Sequence, residues 1–160
     1  MVSIVIVNWN AGLLLKECVE SILKYSIDLV EQLIIVDNAS TDNSLWLLPA
    51  HTAITIIQNK TNKGFASACN QGYALSTAEF LLLLNPDTRL LPGTLQASVD
   101  LMHANTGISI LGVMHEDDKG EIQPSCSRFP EFRDFVTLSL GLHQVAPPPS
   151  CNSPSHIVSR

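Results

Sequence analysis

The chain has 160 residues, 46% of them hydrophobic and 15% charged. That is enough apolar material to bury a core within one domain, and too much for a disordered chain. A formal net charge of −6 leaves no basic footprint for nucleic acid, so a phosphate-bearing ligand needs a local cation, a metal or helix N-termini.

Met1 runs directly into Val2-Ser3-Ile4-Val5-Ile6-Val7 with no basic segment before it, and the run breaks at polar Asn8. This reads as a first strand rather than a signal peptide or a membrane span. It points to a cytoplasmic protein, free or at the inner face of the membrane. Further apolar runs cover residues 33–36, 53–57, 80–84 and 108–113. They are continuous rather than alternating, as in strands covered on both faces.

Between the runs lie segments with helical spacing. Leu13, Leu14, Cys18, Ile22 and Leu23 fall on one face, with Lys16, Glu17, Glu20 and Lys24 on the other. Ala66, Cys69, Gly72, Tyr73 and Leu75 predict a second helix, and Leu95, Val99 and Met102 a third. Residues 42–48 hold a short helix with Ser40 or Thr41 as N-cap. Strand–helix alternation predicts an α/β fold with a mainly parallel, doubly wound sheet. Asp118-Lys119-Gly120 reads as a turn into a short strand near residues 121–123. The domain is expected to span residues 1–142, followed by a Pro/Ser-rich flexible tail over 143–160.

Cys18, Cys69, Cys126 and Cys151 form no C-x-x-C pair, and no second histidine follows His115-Glu116 at a zinc spacing. Cys18 and Cys69 are expected to be small buried hydrophobes in a reducing compartment. No G-x-G-x-x-G, P-loop or G-x-S-x-G motif is present.

The chemistry gathers where strands end. In an open parallel sheet the ligand crevice lies beyond the carboxyl ends of the strands. The first strand ends in Asn8-Trp9-Asn10, and the second in Asp37-Asn38-Ala39-Ser40-Thr41-Asp42. After the third come Asn59 and then Asn62-Lys63-Gly64, and the fourth ends in Asn85-Pro86-Asp87. A single Asn or Asp after a strand is commonly a turn former; four in succession argue for a site. Asp87 is the candidate ligand for a hard cation, Mg²⁺ or Mn²⁺. Asp37 can accept hydrogen bonds from a base or a sugar hydroxyl, and Asp42 suits a helix start. Lys63 brings charge beside Gly64, and Trp9 either stacks on a base or fills the core edge.

These motifs, in this order, resemble the N-terminal half of family 2 glycosyltransferases of the GT-A fold, in particular the rhamnosyltransferase-like branch. The resemblance covers about residues 2–133. It implies a GT-A nucleotide-diphospho-sugar transferase type, with Asn8, Trp9, Asn10 and Asp37 holding the nucleoside and Lys63, Gly64 and Asn70 lining the same pocket. Asn85-Pro86-Asp87 takes the place of the family's D-x-D element. Asn85 replaces its first acid and Asp87 is the metal-binding carboxylate. The implied activity is inverting transfer of a sugar from a nucleotide-diphosphate donor to an acceptor hydroxyl, on a glycan or lipid-linked acceptor, in cell-surface glycan synthesis.

The family's general base normally lies in the half that follows. Glu116, Asp117 and Asp118 are the later acidic cluster, and they read as a hairpin tip. The chain is therefore expected to carry the donor half with the catalytic base absent, leaving a homodimer or a partner to supply the rest. The alternative is a catalytically incomplete nucleotide-sugar and metal-binding module. A nucleotidyltransferase is the third reading, and Asn10-Ala11-Gly12 is a poor version of the glycine-rich loop it needs.

Overall fold

Strand β1 (Val2–Asn8) is buried along its whole length. It pairs in parallel with β2 (Val30–Asp37) on one side and β4 (Phe80–Leu84) on the other. Strand β3 (Ile54–Gln58) continues the sheet beyond β2, giving the order β3-β2-β1-β4. The computed structural model describes residues 1–117 and 119–123, together with the backbone of 157–159.

Alternation along β1 and β2 sends side chains to two separate cores. Val2, Ile4, Ile6, Leu33 and Ile35 pack with Leu15, Cys18, Val19 and Ile22 of α1 (Leu13–Tyr25), and with Leu95 and Val99 of α3 (Thr94–Ala104). On the opposite face, Val5, Val7, Ile34 and Val36 meet Ala68 and Cys69 of α2 (Phe65–Tyr73). Helices on both faces of a parallel sheet are the doubly wound arrangement expected.

Two details differ from the sequence reading. The buried stripe of α1 is shifted: Leu13 and Leu14 are exposed, and Leu15 and Val19 take their place. In addition, β3 and β4 are only partly covered, with Ile56, Leu81 and Leu83 exposed. An apolar run signals burial of a strand but does not show its place in the sheet, and these two strands occupy its edges among the described residues.

The chain divides into two compact units, Met1–Asp100 and Leu101–Arg160. In the second, β5 (Ile108–Leu111) pairs antiparallel with β8 (Ile157–Ser159), and β6 (His115–Glu116) with β7 (Ile122–Gln123). The fifth apolar run thus forms a strand outside the parallel sheet. Of the expected tail, only 157–159 are described. Cys126, Cys151 and the expected turn residue Asp118 lie outside the described residues. No described helix is long and apolar enough to cross a membrane.

Candidate functional site

Because the four strands run parallel, their carboxyl ends open on one edge. The register places Asn8 opposite Asp37, Asp37 opposite Gln58, and Leu84 opposite Ile6. Strands β2 and β4 flank β1, so Asp37 and the loop after β4 stand roughly 10 Å apart, two strand spacings.

Asn8 and Asp37 lie on the α1 face, continuing the line of Ile4, Ile6, Leu33 and Ile35. Both are therefore buried, Asn8 completely and Asp37 to 4% exposure. The Asn8 amide nitrogen faces three acceptors: Asp37 Oδ1 at 2.7 Å, Ser44 Oγ at 2.8 Å and Ser40 Oγ at 3.0 Å. Asp37 Oδ2 accepts from the Ser40 amide at 3.1 Å. Each Asp37 oxygen keeps a second lone pair for a ligand. Asn8 stands beneath the edge and braces the loop after β2.

Asn10 and Trp9 are exposed above it, Trp9 to 61%, so the indole is not part of the core edge. Asn10 Oδ1 accepts from the Thr41 and Asp42 amides at 2.8 and 3.3 Å. Asp42 accepts from the Ser44 hydroxyl at 2.6 Å and from the Gly12 amide at 2.9 Å. The Ser44 hydroxyl is the main reason its carboxyl sits below the ordinary value; burial opposes the shift, and the Ser44 and Gly12 amides reinforce it. The expected helix over 42–48 is a 3-10 turn (Ser44–Leu47) in which Asn43 makes no side-chain cap, and the Ser44 amide donates instead to Asp42 Oδ1 at 3.1 Å. Ser40 is instead engaged with Asn8 and the Asn10 amide.

Sequence reasoning missed a second brace, built around buried Asn38. Its Oδ1 accepts from the Lys63 amide at 3.0 Å and from Asn59 Nδ2 at 3.2 Å, while its Nδ2 donates to Asn62 Oδ1 at 2.9 Å. Asn62 Oδ1 also accepts from the Gly64 amide. Asn38 follows Asp37 directly, and that adjacency was the available signal. The network fixes the Lys63-Gly64 loop at the start of α2, where Gly64 adopts φ 82°. The Lys63 side chain is exposed. Asn70 is exposed on α2, and no side-chain hydrogen bond ties it to this network.

Asn85 and Asp87 are both exposed. The Asn85 carbonyl accepts from the Thr88 amide at 3.2 Å, the Thr88 hydroxyl at 2.6 Å and the Cys18 thiol at 3.6 Å. Burial pushes the Cys18 thiol up to about 12; the Thr88 hydroxyl pulls it back and the Asp87 charge adds to the rise. The thiol is thus a protonated donor at neutral pH. Cys69 is also buried and free, as expected.

A cavity of about 620 Å³ opens beside the loop after β2, lined among others by Asp37, Asp42, Trp46, Gln58 and Lys60. Of the residues anticipated for the site, only Asp37 lines it. Among the described residues, no group of three or more His, Cys, Asp or Glu side chains stands ready to hold a metal.

Known proteins share both sequence and fold with this chain. EpsE of Bacillus subtilis, a putative glycosyltransferase by name, is 31% identical over 116 residues, covering 69% of this chain and 41% of the relative. The structure of S. aureus TarS 1-349 in complex with UDP-GlcNAc aligns with a TM-score of 0.57 at 20% identity, over 66% of this chain and 32% of that one. The mannosyltransferase PcManGT of Pyrobaculum calidifontis, in complex with GDP-Man and Mn2+, aligns at 0.59 and 22% identity, over 67% and 33%. The chain spans less than half the length of each of these three proteins. These neighbours share the GT-A-type layered sheet. With the family model for glycosyl transferase family 2 matching residues 3–156, the chain belongs to the family 2 glycosyltransferases.

Proposed function

We propose that the strand-end edge binds the nucleotide-diphosphate sugar of an inverting glycosyltransferase that acts on an acceptor hydroxyl in cell-surface glycan synthesis. The observation that carries this reading is the register. It sets Asp37 and the Asn85-Pro86-Asp87 loop on either side of β1, with the Lys63-Gly64 loop held to the same edge through Asn38. Trp9 stacks on the base, and Asp37 accepts from the base or a ribose hydroxyl. Asn8 acts from below by fixing Asp37. Asn10 shapes the rim through the Thr41 and Asp42 amides, and Lys63 and Gly64 face the phosphates, with Asn70 behind them on α2. The nucleotide sugars in the TarS and PcManGT complexes support the donor class. A deoxyhexose such as rhamnose is the sugar suggested by the motif resemblance.

A divalent ion, Mg²⁺ or Mn²⁺, fits here only as a guest of the diphosphate. Asp87 offers one exposed carboxylate, and Asn85 beside it adds a neutral oxygen. The remaining ligands must be phosphate oxygens and water. When bound, the ion neutralises charge on the departing diphosphate. The Mn2+ in the PcManGT complex supports this.

Of the carboxylates in these loops, Asp37 and Asp42 already accept hydrogen bonds from Asn8 and Ser44, and Asp87 on this reading serves the ion. That observation favours a second reading: this unit binds the donor and the base comes from elsewhere, whether a further part of the protein, a second copy or a partner.

Calorimetric titration of UDP- and GDP-sugars with and without Mn²⁺ tests the proposal. Metal-dependent binding is expected in the native chain. In Asp87→Ala, affinity in Mn²⁺ should fall by at least the roughly 10–100-fold that loss of a supporting group around a metal costs, with the melting temperature nearly unchanged. Equal affinity in both proteins would move the ion elsewhere. Transfer to an acceptor, with the anomeric configuration read by NMR, separates the full enzyme from the binding unit.

A further inference from the structure

The loop that carries Asp87 is gripped from below by one face of α1. Ser21 stands i+4 from Glu17 and i+3 from Cys18, so it is a surface neighbour of both on α1. Before Asp87, the Asn85 carbonyl accepts from the Cys18 thiol at 3.6 Å. After it, the Leu90 amide donates to Ser21 Oγ at 2.9 Å in a buried bond, and the Ser21 hydroxyl donates in turn to the Cys18 carbonyl at 2.7 Å. Between these anchors, the Arg89 guanidinium meets Glu17 Oε2 at 2.6 and 3.2 Å. The Asp87 carboxylate itself has no hydrogen bond or ion pair among the described residues. A carboxylate with no partner of its own keeps a fixed position only through its backbone.

From this geometry we infer that Ser21 and Glu17 are positioning residues: through Leu90 and Arg89 they hold the Asp87 loop where its carboxylate can meet the diphosphate-bound ion. The inference rests on the reading of Asp87 given above. The two contacts differ in kind. The Ser21–Leu90 bond is buried, so losing it leaves a backbone donor unsatisfied and loosens the loop's exit. The Glu17–Arg89 pair is half exposed, with side chains 33% and 55% accessible. Such a pair adds little to stability. Its removal therefore perturbs the loop while the fold stays intact.

The test uses the full chain with Ser21→Ala and Glu17→Ala. Donor affinity is measured in Mn²⁺ and again in EDTA, and amide exchange is followed at residues 87–90. Metal-dependent affinity is expected to fall about tenfold in Ser21→Ala, the scale of displaced supporting groups around metals, and at most about fivefold in Glu17→Ala, the limit that a half-exposed pair sets. Affinity in EDTA should stay level, and exchange at residues 87–90 should quicken in both variants. Ser21→Thr, which keeps the hydroxyl, should recover part of the loss. The inference is overturned if metal-dependent and metal-independent affinities fall together, or if Glu17→Ala changes neither affinity nor exchange. If the native chain binds donor without any metal dependence, the reading of Asp87 itself fails, which is a distinguishable result.

Discussion

Ala39 carries the clearest local strain at this edge. Its φ of 65° lies in the left-handed region, where a Cβ costs roughly 1–2 kcal/mol. Glycine relieves that cost and gives back roughly 0.5–1 kcal/mol in chain entropy. Ala39→Gly is therefore expected to stabilise the chain by up to about 1 kcal/mol in a urea titration; a lower midpoint would show that the methyl group packs where the loop needs it. Asp42 makes a pH prediction. Its folded carboxyl lies below the ordinary 3.8, so its contribution is present above that value and is lost as pH falls through the folded value. Asp42→Asn should accordingly flatten the acid limb of the stability profile below about pH 4, and an unchanged limb would remove Asp42 as its cause. Polar residues after strands were legible in the sequence; their direction was not. Asn8 reads as a ligand-facing side chain, yet strand alternation puts it on the buried α1 face, and the bracing role of Asn38, signalled in sequence by its adjacency to Asp37 alone, shows in the groups it holds.

At the scale of elements, α2 approaches β1 closely at Gly72. A Cβ at Gly72 would collide with the Val5 side chain, so with any larger residue Val5 or the helix must shift. Gly72→Ala is expected to cost the ~1–3 kcal/mol typical of overpacking, read as a lower urea midpoint. No loss would mean that Val5 turns aside without strain. Helix positions came through from periodicity, while the stripe of α1 was displaced, because Leu13 and Leu14 are as apolar as the residues that do become buried. The mainly parallel character of the sheet followed from helical segments between apolar runs; the pairing of 2–8 with 30–37 did not. The edge positions of β3 and β4 did not, since a leucine run carries no information about how many neighbours its strand has.

The whole molecule places every anticipated site residue, from Asn8 to Asp87, within the first compact unit. Its sheet does the organising. Buried Asn8, Asp37 and Asn38 form a hydrogen-bonded floor, and exposed Trp9, Lys63 and Asp87 stand above it. The four-motif order was legible because each motif follows an apolar run, whereas the braces beneath depend on contacts between residues some 20 to 70 positions apart. The account predicts that a single ligand touches all four loops at once. Amide resonances recorded during titration with a nucleotide-diphosphate sugar and Mg²⁺ should shift together at residues 8–10, 37–41, 63–64 and 85–88, and replacing Mg²⁺ with Mn²⁺ should broaden 85–88 most strongly. Shifts confined to one loop, or broadening centred away from Asp87, would contradict it.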